Sequence, residues 1–517
     1  MAAETFVSAV AWPIAAGLLA SFAIEAMATP RPVPVWKRPV SALLIHVGLC
    51  LSACTVLLAI VGRPWCAMAA ISAFLLLLIL VNQAKLQSLG EPFVFQDFEY
   101  FSDAMRHPRL YLPFLGWSKA MLAGAAFLLA VYTGFSLEVS LRDRVALVSF
   151  LYGVGGMAIL SAGLVGLGAV RDLLPIFDPA ADIRRLGWLG SLWSYGRAER
   201  VTSALNSPPA VFTSIRPAGA LPHVVAVQSE SFFDPRRLFQ GIRSDVLAQF
   251  DALQAESCLS GPLEVPAWGA NTVRTEFAFL TGLGETQLGV HKFNPYRKLH
   301  MRIPTLASVL KGQGYRTICI HPYSASFYER DRIYPLLGFD EFIDIGHFAE
   351  AQRCGPFVSD LAVAEKVASI LEASPGQPVF LFVITMENHG PLHLERVLPE
   401  DIDRYYTTPP PSGCEDLTVY LRHLANASRM VEHLRNTLNA LPDDAWLTWF
   451  GDHVPIMRTV YSRLGAPDGR TEYFVWRKGG THSHSHHKPL RVEDLGIMLL
   501  RERALGGRAP NAVMRDR

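Results

Sequence analysis

The sequence predicts an N-terminal bundle of about five transmembrane helices followed by an α/β domain with a mostly parallel sheet. Three observations lead to this fold class. The chain has 517 residues, which is long enough for two or more domains. Its long apolar segments are confined to residues 1–170. From residue 221 onward, short apolar runs alternate with helical patterns, as they do in α/β domains.

Five segments at the start of the chain are apolar and long enough to span a bilayer. They are residues 6–28, 41–61, 65–83, 118–138 and 146–169. The first contains Glu25 close to its end, where a charge is tolerable, and it lacks the basic start of a cleavable signal peptide. We therefore assign residues 1–170 to a transmembrane domain.

The charge distribution bears on partners and on orientation. The formal net charge is +1, so no overall basic field points to nucleic acid. The predicted loops 29–40 and 84–117 carry six lysines and arginines, against three in 62–64 and 139–145. By the positive-inside rule, this bias places the C-terminal domain in the cytoplasm.

Residues 171–220 form a connector between the two predicted domains. The stretch is amphipathic and contains Trp188 and Trp193 among several arginines. This composition suits a helix at the membrane interface, and it suits equally an arm packed against the soluble domain. Both interpretations remain open from the sequence.

Four apolar runs in residues 221–517 predict buried parallel strands. They are HVVAVQSES (223–231), TICIHPYS (317–324), PVFLFVITMENHGP (378–391) and WLTWFGDHVP (446–455). Helical patterns such as PTLASVLKGQGY and DLAVAEKVASILEAS lie between them. The alternation predicts a doubly wound domain, in which ligands bind beyond the carboxyl ends of the strands.

Acid–base and metal-binding side chains stand at the end of every one of these runs. They are Glu230, His321, the Glu387–Asn388–His389 group, and the pair Asp452–His453. Each by itself is ordinary, and an Asp–His pair also occurs in simple turns. Their joint placement predicts an active site. Glu230, Asp452 and His453 offer two carboxylates and an imidazole, a set that suits Mn²⁺ or Zn²⁺ rather than a thiolate-held structural zinc.

A helical pattern begins at Thr272 in the stretch PAWGANTVRTEFAFLTGLGE and ends at Gly282. The pattern predicts Thr272 as the N-cap of a helix. A hydroxyl at this position also lies beside the positive end of the helix dipole, which favours an alkoxide or a bound phosphate. A hydroxyl at the start of a helix can therefore serve as a cap, as a nucleophile, or as both. Glu276 stands one turn further on, either supporting the site or complementing the dipole.

The motifs VQSESFFDP, GANTVRTEF, IHPYSASFYERDRIYPLLGFDEF, MENHGP and FGDH occur in a characteristic order. In this order the sequence resembles, over essentially its whole length, the lipoteichoic acid synthase-like branch of the sulfatase/alkaline phosphatase superfamily. Five membrane helices before the catalytic domain are also similar. The resemblance implies an alkaline phosphatase/sulfatase-like fold. It further implies a metal-dependent phosphoglycerol transferase, which takes glycerol phosphate from phosphatidylglycerol through a phosphothreonine and passes it to an envelope glycan or polymer.

The resemblance also implies roles for individual residues of this sequence. Thr272 matches the nucleophile, and His389 matches the histidine that contacts the phosphoryl group and exchanges protons. The implied metal ligands are Glu230, Thr272, Asp452 and His453, and the implied substrate-binding residues are His321, Tyr328, Arg330 and His389. Tyr328 stands where the family usually has tryptophan. The implied cofactor is one divalent ion, with Mn²⁺ preferred and Zn²⁺ or Mg²⁺ as alternatives.

In this family the catalytic domain lies outside the cytoplasmic membrane, which contradicts the loop charges. We follow the resemblance, because arginines in the loops can instead meet anionic lipid head groups. Two alternatives remain, a phosphoethanolamine transferase of the same superfamily and a non-catalytic protein that binds lipid or glycan. A sulfatase is disfavoured because NTVRT lacks the Cys or Ser that such enzymes oxidise. HSHSHH (482–487) has no counterpart in the family pattern, and we interpret it as an exposed polar loop.

Overall fold

The computed structural model describes residues 5–101, 117–170, 173–200, 212, 221–480 and 486–504. The chain divides into two compact units, Met1–Thr202 and Ser203–Arg517. The division places the described helices of the predicted connector in the first unit. Residues 482–485 of the His-rich segment lie outside the described residues, whereas His486 and His487 are described and exposed.

The first unit is helical. Its helices are α1 (Phe6–Glu25), α2 (Val40–Val61), α3 (Pro64–Leu89), α4 (Trp117–Leu137), α5 (Leu141–Arg144), α6 (Leu147–Val170), α7 (Pro179–Leu186) and α8 (Trp188–Ala198). Among the described residues, four helices are long and apolar enough to cross a membrane: α1, α2, α3 and α6. Helix α4 coincides with the remaining predicted span. The predicted N-terminal group of apolar helices is confirmed.

A buried ion pair joins α1, α2 and α8 within the first unit. The Glu25 carboxylate pairs with Arg38 and lies 3.5 Å from Nδ1 of His46. It also accepts hydrogen bonds from the backbone N–H groups of Trp188 (2.6 Å) and Leu189 (3.1 Å), at the start of α8. We call Glu25, Arg38 and His46 the Glu25 cluster. Through it, α8 of the predicted connector is held to the membrane helices.

The second unit is built on a mixed, mostly parallel sheet. Its strands are β1 (His223–Ser229), β2 (Leu259–Glu264), β3 (Arg316–Ile320), β4 (Glu341–Ile343), β5 (Arg353–Cys354), β6 (Phe357–Val358), β7 (Val379–Ile384), β8 (Ala445–Gly451), β9 (Thr471–Arg477), β10 (His486–His487) and β11 (Leu490–Arg491). The strand order of the main sheet is β10-β2-β9-β8-β1-β7-β3-β4, with β11 also paired to β2 and β5 paired separately to β6. The four predicted strands are β1, β3, β7 and β8. They are adjacent and mutually parallel, which confirms the predicted sheet.

Helices cover both faces of this sheet. They are α9 (Ala248–Glu256), α10 (Thr272–Thr281), α11 (Glu285–Leu288), α12 (Leu306–Gly312), α13 (Arg330–Leu337), α14 (Asp360–Glu372), α15 (Asp401–Tyr405), α16 (Glu415–Ala440), α17 (Arg458–Leu464) and α18 (Val492–Ala504). Alternate residues of β1 enter different cores: Val225 and Val227 pack with α14 and α16, whereas Val224 and Ala226 pack with α10 and α18. Burial on both faces explains why these strands read as continuous apolar runs.

All seven cysteines lie among the described residues, and each is free. The second unit is therefore held by its two hydrophobic cores and its sheet rather than by disulfides. Because β1, β3, β7 and β8 run in the same direction, their carboxyl ends meet at one edge of the sheet.

Candidate active site

Glu230, Asp452 and His453 form a compact cluster at this edge. Ser229, the last residue of β1, pairs with Gly451, the last residue of β8, so the residues that follow the two strands are neighbours. His453 Nε2 lies 3.6 Å from Glu230 Oε1 and 3.5 Å from Asp452 Oδ2. We call these three residues the Glu230 cluster. Sheet register alone brings its members together across more than two hundred residues of sequence.

The Glu230 cluster is buried and carries more negative charge than its surroundings neutralise. Burial and the charge on Asp452 raise the pKa of Glu230 to about 8. Burial likewise raises the pKa of Asp452. Among the described residues, Asp452 Oδ2 and His453 Nε2 have no hydrogen-bond partner. Two unpartnered buried atoms of ligand type, 3.5 Å apart beside a second carboxylate, fit a divalent ion.

Ser231 orients both carboxylates of the cluster. Its backbone N–H donates to Asp452 Oδ1 (2.8 Å), and its hydroxyl donates to Glu230 Oε1 (2.8 Å). Ser231 adopts a left-handed backbone conformation with φ of 51°. This conformation is uncommon for a non-glycine residue and costs about 1–3 kcal/mol. The hydrogen bonds occupy one oxygen of Asp452 and leave the other directed toward His453.

Gly451 is required by the close approach of β8 to the turn after β1. A Cβ atom at this position would lie 1.9 Å from the backbone oxygen of Phe232, which is closer than any real contact. The glycine therefore lets the chain deliver Asp452 to the cluster. In the sequence, the glycine of FGDH is the only sign of this close approach.

Thr272 lies beside the Glu230 cluster. Helix α10 begins at Thr272 itself, and the residue before it, Asn271, is in the left-handed conformation with φ of 66°. The prediction of Thr272 as the N-cap is therefore wrong by one residue, because asparagine tolerates this conformation and turns the chain one position earlier. The Thr272 hydroxyl lies close enough to the Asp452 carboxylate to lower the Asp452 pKa, against the larger effect of burial. The hydroxyl thus meets the cluster at the positive end of the helix.

Arg330 and Glu276 form a second buried group next to the cluster. Arg330 pairs with Glu276 through two nitrogens. Its Nε lies 3.2 Å from Oε2, and its Nη2 makes a shorter contact with Oε1. The hydroxyls of Tyr296 (2.8 Å) and Tyr334 (2.7 Å) also donate to Glu276 Oε2. The alternatives left open for Glu276 are now resolved by geometry. Its carboxylate holds the Arg330 guanidinium rather than complementing the dipole of α10.

His321 completes this group. Arg330 can only donate, so its bond to His321 Nε2 (3.2 Å) makes that nitrogen an acceptor and leaves the proton on Nδ1. His321 Nδ1 then donates to the backbone oxygen of Ile384 (3.3 Å). Burial and the Arg330 charge hold the pKa of His321 well below its ordinary value, so the ring is neutral. The ring of Tyr328 lies 5.2 Å from Cζ of Arg330, which places an aromatic face against the guanidinium.

His389 approaches the cluster from the end of β7. Its Nδ1 donates to the backbone oxygen of Gly390 (2.6 Å), so Nε2 carries the lone pair of the neutral ring. Burial lowers the pKa of His389, an effect that the Gly390 hydrogen bond and the charge on Asp452 oppose. His389 packs edge-to-face against Phe357, with ring centroids 5.3 Å apart.

The structure thus brings all the sequence-predicted site residues to one edge of the sheet, although their roles stay predictions. It adds residues that the sequence reasoning missed. These are Ser231, Thr385, Tyr296 and Tyr334, of which Thr385 accepts a hydrogen bond from the Glu230 N–H (3.0 Å). Ser231 had a signal in its position within VQSES, and Tyr334 stands one helical turn after Arg330. Tyr296 had no such signal in the sequence, because it lies in an irregular segment.

Positive backbone angles cluster around the site. Of the five described non-glycine residues with φ > 0, four are Ser231, Asn271, Tyr328 and Glu329. Each directly precedes or follows a predicted site residue or is one itself. Such conformations persist only where surrounding contacts impose them, and they are concentrated at functional sites.

A model of the sulfatase family matches residues 222–500, which is more than half of the chain. The chain belongs to the sulfatase family. Among curated relatives, the capsular polysaccharide biosynthesis protein RkpI of Rhizobium meliloti is 29% identical over 472 residues, covering 85% of this chain and 83% of that protein. Lipoteichoic acid synthase of Staphylococcus saprophyticus is 28% identical over 148 residues, covering 28% of this chain and 22% of that protein. The predicted resemblance to lipoteichoic acid synthase-like members of the superfamily is confirmed.

Two solved structures are similar to this chain. The phosphoglycerol transferase GacH of Streptococcus pyogenes is 22% identical, with a TM-score of 0.48, covering 60% of this chain and 79% of its own. The membrane protein lipooligosaccharide phosphoethanolamine transferase A of Neisseria meningitidis is 12% identical, with a TM-score of 0.52, covering 89% of this chain and 95% of its own. The latter match extends over the apolar helices as well as the α/β unit. The latter similarity supports the predicted fold class.

Proposed function

We propose that this chain is a metal-dependent phosphoglycerol transferase that moves glycerol phosphate from phosphatidylglycerol to an envelope glycan or polymer through phospho-Thr272. One observation carries the proposal. The Thr272 hydroxyl lies at the start of α10, close enough to the Asp452 carboxylate of the buried Glu230 cluster to lower the Asp452 pKa. A nucleophilic hydroxyl needs activation of this kind, because it is weak at its ordinary pKa.

The relatives support the proposed substrates. A protein of capsular polysaccharide biosynthesis matches most of the chain, and a lipoteichoic acid synthase matches part of it. Both names concern polymers of the cell envelope. We infer that the acceptor is a hydroxyl of such a glycan or polymer and that the donor is the phospholipid.

The first half-reaction moves the phosphoryl group onto the protein. Thr272 Oγ attacks the phosphorus of phosphatidylglycerol, forming an Oγ–P bond while the P–O bond to diacylglycerol breaks. The proton lost by Thr272 balances the proton gained by the diacylglycerol oxygen. A divalent ion held by Glu230, Asp452, His453 and Thr272, with Mn²⁺ as our choice for this oxygen-rich set, would supply a Lewis acid at the hydroxyl.

The second half-reaction restores the threonine. A hydroxyl of the acceptor attacks the phosphorus, the new P–O bond forms and the Oγ–P bond breaks. Nε2 of His389 accepts the acceptor proton and returns it to Thr272 Oγ. Burial suits His389 to this exchange, since its lowered pKa keeps the ring neutral at pH 7.

Arg330 binds the phosphate during both steps. Within the described residues, its bonds to Glu276 and His321 engage three of the five N–H donors of arginine, leaving two for phosphate oxygens. Because Glu276 holds the guanidinium fork before substrate arrives, little side-chain entropy is lost on binding. Tyr328, stacked on the same guanidinium, would contact the glycerol group.

Mass spectrometry of the full-length protein given phosphatidylglycerol tests the covalent step. We expect glycerol phosphate on Thr272 and release of diacylglycerol. The Thr272→Ala variant should lose both, whereas Thr281→Ala, at the far end of the same helix, should keep both. Release of diacylglycerol at the normal rate by Thr272→Ala would contradict the mechanism.

The transferred group is tested in the same experiment. Feeding phosphatidylethanolamine instead should leave Thr272 unmodified. Ethanolamine phosphate on Thr272 would identify a phosphoethanolamine transferase and would overturn the assigned donor while retaining the nucleophile. Comparison of envelope glycans with and without the gene would then identify the acceptor.

We further propose that the α/β unit lies outside the cytoplasmic membrane, where envelope polymers are built. A reporter fused to the C-terminal end, active only in the periplasm or only in the cytoplasm, decides this point. Activity of the cytoplasmic reporter alone would show that the positive-inside rule, and not the family resemblance, describes this chain.

A further inference from the structure

A second group of metal-ligand side chains lies apart from the Glu230 cluster in the α/β unit. Cys354 belongs to β5, Glu387 follows β7, and His423 lies on α16. Ligand atoms of these three residues all lie within 4.8 Å of one another. We call them the Cys354 cluster. The proposed transferase mechanism uses none of them.

The hydrogen bonds of His423 are those of a metal ligand. Its Nε2 lies 3.0 and 3.1 Å from the two carboxylate oxygens of Glu395. A histidine that binds a metal through one ring nitrogen almost always donates the other N–H to a carboxylate or a carbonyl. Nε2–H donated to Glu395 leaves Nδ1 as the ligand atom, and Nδ1 is the nitrogen that faces Glu387 Oε1 at 3.1 Å.

Glu387 is oriented in the same way. Its Oε2 accepts a hydrogen bond from the backbone N–H of Asp360 (2.7 Å), which directs Oε1 toward His423. Asn426 donates to that same oxygen and lies 3.5 Å from Cys354 Sγ. Its amide therefore bridges two members of the cluster and fixes their separation.

An unpartnered buried carboxylate beside the cluster is the second observation. Asp360 is fully buried, and neither of its oxygens has a hydrogen-bond partner in the part of the chain that the structure describes. Its backbone N–H donates to Glu387 Oε2, so Asp360 lies directly beside the Cys354 cluster. Buried polar atoms are rarely left unsatisfied, and a nearby cation would satisfy these.

From this arrangement we propose that Cys354, Glu387 and His423 form a second metal site, which binds Zn²⁺. Thiolate, imidazole and carboxylate together are a ligand set that zinc takes and that the oxygen-preferring ions Mg²⁺ and Ca²⁺ do not. Cys354 is only half-buried, which gives the ion a route of entry. Three protein ligands would leave a fourth position open to water.

The site would brace His389. Cys354 and Phe357 lie on the two strands of the β5–β6 hairpin, and Phe357 packs against the His389 ring. Glu387 stands two residues before His389 in the same turn. An ion joining Cys354 to Glu387 would therefore tie the hairpin to the turn that presents His389, and α16 would anchor both through His423.

A metal-free network is the competing explanation of these contacts. In it, a protonated His423 lies between the carboxylates of Glu387 and Glu395. This explanation accounts for the contacts of His423 with the two glutamates. It leaves the Asp360 carboxyl without a hydrogen-bond partner among the described residues.

Cobalt substitution distinguishes the two, because a thiolate bound to Co²⁺ gives an intense near-ultraviolet charge-transfer band. The purified full-length protein is treated with chelator under reducing conditions and titrated with Co²⁺. Since the Glu230 cluster contains no cysteine, a band reports the Cys354 cluster alone. We expect a saturable band that Zn²⁺ displaces, together with binding of about one equivalent more Co²⁺ than the Cys354→Ala variant binds.

Three variants complete the test. Cys354→Ala should lose the band, whereas Cys414→Ala, which removes a buried cysteine elsewhere in the same unit, should keep it. Asp452→Ala should also keep the band while losing the other bound ion, so this result is independent of the proposed transferase. His423→Gln should weaken Co²⁺ binding without unfolding the protein, as judged by circular dichroism. Absence of the band from the parent protein, or its persistence in Cys354→Ala, would overturn the second site.

Discussion

The two units each bury a cluster of ionisable groups, and the two clusters are built in opposite ways. In the Glu25 cluster, one carboxylate is matched by Arg38, by His46 and by two backbone N–H groups of α8. In the Glu230 cluster, two carboxylates lie together beside one imidazole, and two ligand-type atoms have no hydrogen-bond partner among the described residues. In the first cluster the carboxylate is paired with a guanidinium, whereas in the second the two carboxylates have only the one imidazole between them.

This difference separates a structural joint from a binding site. A matched buried ion pair resists removal of either partner, because the remaining charge would be left in an apolar environment. A buried pair of like charges costs free energy until a cation binds. We therefore expect substitutions in the two clusters to affect stability with opposite signs, and only those in the Glu230 cluster to affect catalysis directly.

The largest effect is expected from Asp452→Ala. Loss of this ligand should abolish tight binding of the divalent ion and lower transferase activity by on the order of 10³-fold or more. Metal analysis and diacylglycerol release measure the two effects. The matched control is Asp468→Asn, which alters an exposed aspartate of the same unit. Normal metal content in Asp452→Ala would contradict the assigned ligand set.

Glu25→Ala tests the matched cluster. Arg38 would be left buried without its carboxylate, and the N–H groups at the start of α8 would lose their acceptor. We expect a loss of about 3 kcal/mol in stability, seen as a lower Tm of the full-length protein in detergent. Asp143→Asn, an exposed site in the same unit, should leave Tm unchanged. A Tm equal to that of the parent would mean that Glu25 is not part of a structural joint.

Glu276→Gln tests whether Arg330 must be held in place. The glutamine keeps the shape but removes the charge that pairs with Arg330, so the fork loses its fixed orientation. We expect activity to fall by about 10–100-fold, with the bound metal unchanged. The KM for phosphatidylglycerol should rise, which a purely structural role would not produce. Tyr296→Phe, which removes one hydrogen bond to Glu276, should reproduce the change more weakly.

Glu230→Gln is expected to give the smallest effect on stability, and one of opposite sign to Glu25→Ala. The pKa of Glu230 rises from an ordinary value of 4.5 to about 8 in the folded protein without metal. The folded state therefore binds the proton more tightly than the unfolded state, and stability falls as pH rises from about 4.5 through 8. Glu230→Gln should remove this fall and raise Tm of the chelated protein near pH 8.

The same variant provides its own check with metal present. Bound ion keeps the carboxylate charged in the parent protein, so the part of the pH dependence that comes from Glu230 should vanish there and the parent should become the more stable of the two. A Tm of the chelated parent that does not change between pH 5 and pH 8 would contradict the electrostatic account of the Glu230 cluster.

Much of the α/β unit was predictable because its signals are local. Runs such as VFLFVI are apolar on both faces. Glu230, His321 and Asp452 directly follow their strands, and His389 lies in the turn after β7. Parallel strands then bring these ends together without further information. The predicted N-cap of α10 was wrong by one residue, since the sequence does not show that Asn271 adopts the left-handed conformation.

Hydrophobic periodicity and strand direction are properties of neighbouring residues, so the sequence was sufficient to predict the fold class and the residues gathered at one edge of the sheet. Three contacts could be seen only in the folded chain: Glu276 holds Arg330, Glu25 caps α8, and Cys354, Glu387 and His423 meet. These contacts join segments distant in sequence, and their partners are set by how helices and hairpins pack on the sheet. Charge balance within a buried cluster is likewise a property of packing, and it is what distinguishes the joint at Glu25 from the site at Glu230.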